Sequence, residues 1–385
     1  MRTKCKKLLI VWVYHPAVGH LVEALQVAAN YYSANPKLEI HFLVNCKTPH
    51  VIGNYCDFIS RVHPVQVHID GINVVSIKSF KHHEFDYVIF PKRFKHTPQD
   101  FPEPLLKANH FLQDYFKPKI WGGYNDTPSL DETALQENPY SGFKIKIPKD
   151  KITYNLPDAS GAPIFSVMLK GASKQTKWPS LKTWKIILLQ IKKKYPEALF
   201  LITGVLEAHG DIHNSNSQLK NKVETFIASI PGAINCYDIG LENQLSIIQN
   251  SNVFIAPHTG FAFLAPCLGT PWLALSGGGW AEQMPAQMPF YSVLPRCNKY
   301  PCNGGDIKLS CRARLKFKQP IKCMSSLNTK LDNILVGIEK LLNKDYKFDD
   351  AFNDYQNSAI SNNVNLKKLW RIAAYNQYTT NTKEL

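Results

Sequence analysis

Short apolar runs alternate with amphipathic stretches along most of this sequence. Residues 8–14 form a continuous run of strand-forming side chains, and residues 20–32 follow with apolar positions at helical spacing. The same order recurs at residues 164–169, 180–195 and 198–203. Continuous apolar strands that alternate with helices are typical of parallel sheets covered on both faces. The sequence therefore predicts an α/β fold of the doubly wound type.

The alternation is interrupted once, which predicts two domains. Residues 117–163 are rich in Gly, Pro, Asn and Asp and lack periodicity, as expected of a long loop that leads into a linker. A chain of 385 residues is also long enough for two cores of ordinary size. We predict a first domain at residues 1–157, a second at 158–345 with a cysteine-rich insert at 296–323, and a helical segment at 346–385 that packs back on the first domain.

The same patterns place the remaining elements. Short apolar runs predict further strands at residues 40–44, 74–77, 87–90, 253–256 and 272–276. Apolar positions at helical spacing predict helices at residues 218–230, 243–250, 261–268, 328–342 and 364–378. Each predicted domain thus has its own series of strands and helices.

The positive charge of the chain is concentrated in one region. The net charge is +15, and residues 144–194 hold twelve Lys against only two Asp. Such a field attracts phosphate-bearing molecules, such as a nucleotide diphosphate or an anionic membrane surface. A solvated lysine-rich face is the alternative. We do not expect nucleic acid as a partner, because aromatic side chains are not interleaved with these cations.

The sequence carries no predicted secretion signal or membrane span. The apolar run at residues 8–14 is too short for a signal peptide and lacks a small-residue cleavage site. Residues 253–275 contain Pro and Gly residues that suit a buried strand, helix and strand rather than a membrane helix. We therefore expect a cytoplasmic protein whose nine cysteines are mostly reduced thiols or metal ligands.

The densest local signal is Ala-Pro-His-Thr-Gly-Phe-Ala-Phe-Leu-Ala-Pro-Cys-Leu-Gly-Thr-Pro-Trp-Leu-Ala-Leu-Ser-Gly-Gly-Gly at residues 256–279. Thr259 and Gly260 are predicted to open a helix directly after a strand. Free N–H groups and the helix dipole at that point suit a diphosphate, and Gly260 lets it approach the backbone. An ordinary strand, turn and capped helix is the alternative.

A second loop of the same kind is Lys-Gly-Ala-Ser-Lys-Gln-Thr-Lys-Trp-Pro at residues 170–179. It lies between a predicted strand and a predicted helix. Three kinds of group in it suit a diphosphate leaving group: a glycine, two hydroxyls and two ammonium groups, at Gly171, Ser173, Thr176, Lys174 and Lys177. A charged surface turn is the alternative.

These two motifs and the intervening Leu-Ile-Thr-Gly with Glu207 resemble the ADP-heptose:lipopolysaccharide heptosyltransferases, in order and spacing over residues 164–285. The resemblance implies a GT-B fold, with two Rossmann-like doubly wound domains that face a central cleft. It implies that the second domain binds a nucleotide diphosphate sugar, that the first domain lies on the acceptor side, and that transfer is inverting and metal-independent. It places phosphate near Ser173, Thr176 and Lys177, the ribose near Glu207, and the diphosphate at Thr259 and Gly260.

Some positions depart from the family pattern. His258 stands where the family usually has an Asp that is implicated in holding the donor sugar, and Phe263 replaces a His. The basic residue usually found two positions before the Trp is replaced by Thr176, so Lys177 or Lys174 takes its role. We therefore count His258 as a donor-binding residue and leave the donor sugar and nucleobase open.

The first predicted helix carries two candidates for a catalytic base. An inverting transfer needs a base to remove the proton of the attacking hydroxyl. His20 resembles the histidine of other GT-B enzymes that have Gly-His after their first strand. Glu23 lies one helical turn later on the same face, where it orients His20 or acts itself. A helix-capping His beside a solvated Glu is the alternative.

Four of the nine cysteines fall within one hydrophilic segment, at Cys297, Cys302, Cys311 and Cys323. Four thiols in a small insert are typical of a structural zinc or iron site, although these spacings are looser than in a Cys-x-x-Cys pair. The cluster resembles in position the four-cysteine iron-binding finger of a heptosyltransferase-like branch that modifies bacterial autotransporter proteins. Free thiols, or disulfides in an oxidising compartment, are the alternatives.

The combined prediction is an inverting glycosyltransferase with no catalytic cofactor. By the resemblance it transfers a sugar, heptose by family analogy, to a glycan of lipopolysaccharide type, a protein or a small molecule. Its basic charge predicts peripheral contact with an anionic inner-membrane surface. Two other functions fit the same residues: a GT-B-like sugar-nucleotide 2-epimerase, and a non-catalytic protein that binds sugar nucleotides or polyanions.

Overall fold

A computed structural model describes residues 7–13, 17–34, 36–70, 73–77, 85, 87–89, 142–171, 178–205, 220–278, 284–302 and 307–364. The chain divides into two compact units, with the boundary between Lys146 and Ile147. No helix in this part of the chain has both the length and the apolar character that crossing a bilayer requires.

The first unit contains a four-stranded parallel sheet with the strand order β3-β2-β1-β6. Its strands are β1 (Lys7–Trp12), β2 (Glu39–Asn45), β3 (Arg61–Val65) and β6 (Tyr87–Ile89). Helix α1 (Val18–Ala34) follows β1, as the sequence predicts. A 3₁₀ helix (His50–Tyr55) lies between β2 and β3. The side chains of residues 8–11 are completely buried, which confirms the predicted buried first strand.

The predicted strand at residues 74–77 pairs differently from the rest. It belongs to β5 (Asn73–Ile77), which pairs antiparallel with β4 (Val67–Asp70) in a separate two-stranded sheet. Only residues 71 and 72 lie between these strands. A connection of two residues joins antiparallel strands, whereas a parallel pair needs a crossover of a dozen residues or more.

The second unit contains a six-stranded parallel sheet with the order β12-β11-β10-β7-β8-β9. The strands are β7 (Ile164–Met168), β8 (Leu199–Gly204), β9 (Ala233–Tyr237), β10 (Val253–Pro257), β11 (Trp272–Leu275) and β12 (Phe290–Ser292). The chain builds one side of the sheet from β7 to β9 and then returns to build the other side from β10 to β12. This is the strand order of doubly wound dinucleotide-binding sheets.

The described part of the second unit contains eight α-helices. They are α2 (Leu181–Lys194), α3 (Lys220–Ala228), α4 (Leu241–Gln249), α5 (Leu264–Cys267), α6 (Leu309–Lys316), α7 (Lys322–Ser325), α8 (Leu331–Leu342) and α9 (Phe348–Ser361). Short 3₁₀ helices occur at Lys149–Lys151 and Leu327–Thr329. Ser180 caps α2 by accepting a hydrogen bond from the Thr183 N–H (3.1 Å). Trp184 on α2 is fully buried, and its indole N–H donates to the Leu169 carbonyl (2.9 Å) at the end of β7.

The boundary between the units lies earlier than the sequence analysis placed it. Residues 147–157 belong to the second unit, whereas the sequence pattern predicts them in the first domain. The backbone N–H groups of Thr153 and Tyr154 both donate to the Asn243 side-chain oxygen, at 2.8 and 3.0 Å. These bonds to α4 hold a segment whose only regular structure is the 3₁₀ helix Lys149–Lys151, and such a segment has the sequence pattern of a linker.

The structure describes the first half of the predicted C-terminal segment. Helix α9 contacts β12 of the second unit, where the rings of Phe348 and Tyr355 lie 5.9 and 5.5 Å from that of Phe290. The described part of the predicted 346–385 segment therefore packs on the second unit, and the packing of the remainder on the first domain stays a prediction. The predicted closing helix lies almost wholly outside the described residues, which end at Val364.

Candidate functional site

The strand order of the second unit creates a crevice between β7 and β10. These neighbouring strands are parallel, and the connections that follow them lead to opposite sides of the sheet. Open parallel sheets bind ligands beyond the carboxyl ends of their strands at such a switch point. Lys170 and Gly171 follow β7, and His258, Thr259 and Gly260 follow β10. The two motifs that the sequence analysis selected therefore lie at the same edge of the sheet.

Gly171 and Thr259 bring the two loops into direct contact. A Cβ atom added at Gly171 would lie 3.0 Å from Cγ2 and 3.1 Å from Cβ of Thr259, and 3.4 Å from Cη2 of Trp178. The two distances to Thr259 are shorter than ordinary van der Waals contacts, so a side chain here would require Thr259 to shift by a few tenths of an ångström. The close approach brings the end of β7 against the turn that follows β10.

Thr259 is buried and holds the turn after β10. Its hydroxyl oxygen accepts a hydrogen bond from the Ala262 N–H (3.0 Å) and donates to the Met168 sulfur (3.5 Å). Residues 260–263 form a turn, and α5 begins only at Leu264. The predicted helix at 261–268 is therefore shorter than expected. A helix of one turn has a small dipole, so an anion at this point would be held mainly by the N–H groups of the turn.

The two residues that depart from the family pattern contact each other. The rings of His258 and Phe263 meet edge to face, with their centroids 4.8 Å apart. Phe263 also packs against Trp272, with 6.2 Å between ring centroids. His258 is half-buried, and this aromatic contact restricts its ring. The two residues that differ from the family pattern thus contact each other and lie close to Thr259 in the chain.

Lys170 is a site residue that the sequence analysis named only as part of its loop. Its side chain is half-buried directly after β7, and burial lowers the pKa of its ammonium group. A partly desolvated cation beside the switch point favours an anionic ligand. The signal in the sequence is its position, as the first charged residue after a buried strand.

Several predicted donor-binding residues cannot be placed. Ser173, Thr176, Lys177 and the alternative Lys174 lie in the loop at 172–177, and Glu207 lies at 206–219, both outside the described residues. Their predicted roles remain predictions.

The predicted base residues lie on α1, which follows the central strand β1 of the first sheet. His20 and Glu23 occupy its first two turns, at the carboxyl-end edge of that sheet. Their side chains lie outside what the structure describes. The backbone confirms a strand, loop and helix at this position, and the catalytic role of both residues stays a prediction.

The four clustered cysteines line one cavity of about 870 Å³ in the second unit. The Cys302 sulfur donates to the Gly278 carbonyl (3.2 Å), and burial raises the pKa of the nearby Cys323 thiol to about 12. None of the eight described cysteines is in a disulfide. Within the described residues, however, no three potential ligands are arranged to hold a metal ion. The structure thus brings Cys297, Cys302, Cys311 and Cys323 together without forming a coordination site.

Two glycines of the motif at residues 256–279 contact this cysteine-rich region. A Cβ atom at Gly277 would lie 2.7 Å from the Cys323 sulfur and would overlap the end of the Met324 side chain. Gly278 has φ of +84°, which other residues rarely adopt, and its carbonyl also accepts from the Cys302 N–H (3.0 Å). The Ser-Gly-Gly signal after β11 therefore reflects packing of the Cys-rich segment.

No protein-family model and no curated protein matches the sequence. Solved structures do match. A glycosyl transferase family 9 protein from Veillonella parvula has a TM-score of 0.52 at 13% identity, over 89% of this chain and 98% of that chain. The iron-containing dodecameric glycosyltransferase TibC from enterotoxigenic E. coli has a TM-score of 0.52 at 11% identity, over 89% of this chain and 79% of that chain.

A second TibC structure, described as an iron-containing heptosyltransferase in complex with ADP-D-beta-D-heptose, has a TM-score of 0.51 at 11% identity. It covers 89% of this chain and 78% of that chain. At such low identity these likenesses establish the fold. They confirm the predicted α/β class with two Rossmann-like units, as found in GT-B proteins.

Proposed function

We propose that this protein is a glycosyltransferase that uses a nucleotide diphosphate sugar as donor. The observation that carries the proposal is the contact between Gly171 and Thr259 at the switch point of the second sheet. Two loops chosen from sequence for phosphate binding meet at the place where sheets of this topology bind nucleotides. The fold shared with TibC, which was solved with ADP-heptose, supports the same donor class.

The donor would lie across the crevice between β7 and β10. The turn N–H groups after Thr259 and Gly260 would face the diphosphate, and the half-buried ammonium group of Lys170 would offset its charge. His258, whose ring is restricted by Phe263, would contact the sugar. By the resemblance to heptosyltransferases, Ser173, Thr176 and Lys177 contribute phosphate contacts and Glu207 contacts the ribose. The donor sugar is heptose by the same analogy.

The reaction would be a single displacement with inversion at the anomeric carbon. The acceptor oxygen forms a bond to that carbon while the bond to the diphosphate oxygen breaks, and the diphosphate leaves with the electron pair. His20 or Glu23 takes the proton of the acceptor hydroxyl. The cations and N–H groups of the donor site stabilise the negative charge that develops on the departing diphosphate. This stabilisation lowers the barrier to cleavage of the bond between the sugar and the diphosphate. The acceptor would be a glycan, a protein or a small molecule.

The four-cysteine cavity is the candidate for a structural zinc or iron centre. Four thiols are a suitable donor set, and TibC is described as iron-containing. The described thiols are not arranged as ligands, so binding requires them to move closer. Metal analysis of purified protein should give about one metal ion per chain, lost in Cys302→Ser and kept in Cys46→Ser, which changes an exposed cysteine outside the cavity. Equal metal content in both variants would remove this proposal.

Peripheral membrane contact is supported by α6 and the residues next to it. Leu309 and Phe317 are 81% and 71% exposed, and Arg312, Lys316 and Lys318 are exposed near them. Exposed apolar side chains among cations suit an anionic bilayer surface. Leu309→Glu/Phe317→Glu should reduce co-sedimentation with vesicles containing phosphatidylglycerol, whereas Ile360→Glu, at a residue 55% exposed on α9, should not. Equal sedimentation of both variants would exclude this surface.

Acceptor dependence separates transfer from the other two functions. The assay measures nucleoside diphosphate release and sugar isomers, with each candidate donor and with or without a pool of glycan, peptide and small-molecule acceptors. A transferase gives release that rises with acceptor and falls at least about a hundredfold in whichever of His20→Ala and Glu23→Gln removes the base. An epimerase forms isomers without acceptor. A non-catalytic protein does neither, and full turnover in both variants would disprove the base assignment.

A further inference from the structure

The cavity that holds the four cysteines is also lined by cations. It lies at the carboxyl-end edge of the second sheet, because Gly278 follows β11 and Pro295 follows β12. Its volume of about 870 Å³ is in the range of pockets that hold small organic ligands. Gly171, His258, Thr259 and Gly260, the predicted donor-binding residues that the structure describes, do not line it, so it is separate from the ends of β7 and β10.

Five Lys and Arg side chains line this cavity, and no acidic side chain does so among the residues that the structure describes. They are Arg296, Lys299, Lys308, Lys322 and Lys330. Lys330 is half-buried and is held by its hydrogen bond to the Leu294 carbonyl. The other four are exposed around the cavity. Like charges so close to each other repel, and a bound anion would relieve that repulsion.

The rest of the lining suits an organic anion better than a free ion. The Ser310 hydroxyl provides a hydrogen-bond donor beside the cations. The hydroxyls of Ser326 and Thr329 also line the cavity, but they donate to the backbone carbonyls of Cys323 and Ser326. Leu315 and Ile321 provide apolar surface. The oxygens of a phosphate group accept several hydrogen bonds at once, and an Arg guanidinium group can donate to two of these oxygens together.

We propose that this cavity is a second ligand site, which binds a phosphorylated small molecule or a phosphorylated glycan. The site does not depend on the proposed transferase activity, because its residues are distinct from the described residues of the donor site. It is also compatible with a metal centre at the cysteines. A divalent ion with four thiolates carries two negative charges, which offset only two of the five cations.

Calorimetric titration with a sugar phosphate tests the site. Glucose 1-phosphate represents a sugar phosphate ester, inorganic phosphate represents the free ion, and citrate serves as an anion without phosphate, all at about 150 mM salt. The glucose phosphate should bind at least about tenfold more tightly than citrate, because the ester adds apolar contact and a tetrahedral acceptor group. Inorganic phosphate should bind more weakly than the sugar phosphate.

Two variants at exposed positions carry the test, since neither should disturb folding. Arg296→Gln and Lys299→Gln should each weaken sugar phosphate binding about tenfold. Lys316→Gln and Lys318→Gln remove nearby cations that do not line the cavity. Each should change the affinity for the sugar phosphate less than about twofold. Binding should persist in Thr259→Ala, which alters the donor site. The proposal is overturned by no binding at millimolar probe, by equal binding of citrate, by equal losses in both pairs, or by loss in Thr259→Ala alone.

Discussion

Gly171 and Thr259 illustrate how much of this site depends on single atoms. The absence of one methyl group at Gly171 lets the loop after β7 contact the turn after β10. The Thr259 hydroxyl in turn keeps the Ala262 N–H in place within that turn. The proposed donor site therefore requires a residue without a side chain at position 171.

Gly171→Ala should weaken nucleotide binding about tenfold, because the added Cβ overlaps Thr259 and overpacking of this kind costs about 1–3 kcal/mol. Isothermal titration calorimetry measures the change. The double variant Gly171→Ala/Thr259→Ser removes the Cγ2 methyl group at 3.0 Å but keeps the Cβ atom at 3.1 Å, and should recover part of the affinity that Gly171→Ala loses. If Gly171→Ala binds as the parent does, the contact has no role in nucleotide binding.

At the residue level the sequence was informative about position and less so about partners. It identified Thr259, Gly260 and Gly171 because each directly follows a recognisable apolar strand. It did not identify the pairing of His258 with Phe263 or the burial of Lys170. Both depend on how neighbouring strands align, which no local pattern encodes.

Among the elements, the segment from β11 to α7 contains a glycine pattern that fits either ligand binding or close packing. Ser-Gly-Gly after β11 resembles the end of a donor-binding motif, yet Gly277 is needed where Cys323 and Met324 pack against the backbone. A glycine in a motif reports a close approach without telling which partner approaches. Similarly, the apolar spacing at 261–268 predicted a helix, but the residues before Leu264 form a turn held by Thr259.

Gly277→Ala should lower the free energy of unfolding by about 1–3 kcal/mol, because its Cβ would overlap Cys323 and Met324. Urea denaturation followed by circular dichroism measures this change. The control Asn298→Ala, an exposed position in the same segment, should stay within about 0.5 kcal/mol of the parent. Unchanged stability in Gly277→Ala would show that the Cys-rich segment does not pack as closely as the structure indicates.

For the whole molecule, the alternation of strands and helices was sufficient to predict two parallel sheets. It did not predict the order of the strands within each sheet. The order β12-β11-β10-β7-β8-β9 decides where the crevice lies, and it is set by long-range packing. The same is true of the boundary, since residues 147–157 belong to the second unit through their bonds to Asn243. The arrangement of the predicted central cleft remains a prediction.

The central claim is that the crevice between β7 and β10 binds a nucleotide diphosphate sugar. The most direct test is calorimetric titration of ADP-, UDP-, GDP- and dTDP-sugars into the parent protein, Thr259→Ser and Thr259→Ala. One nucleotide should bind selectively to the parent. Thr259→Ser keeps the hydroxyl and should bind within about threefold, whereas Thr259→Ala loses the bond to Ala262 and should bind about tenfold more weakly. Absence of binding by all four, or equal affinity in Thr259→Ala, would contradict the account.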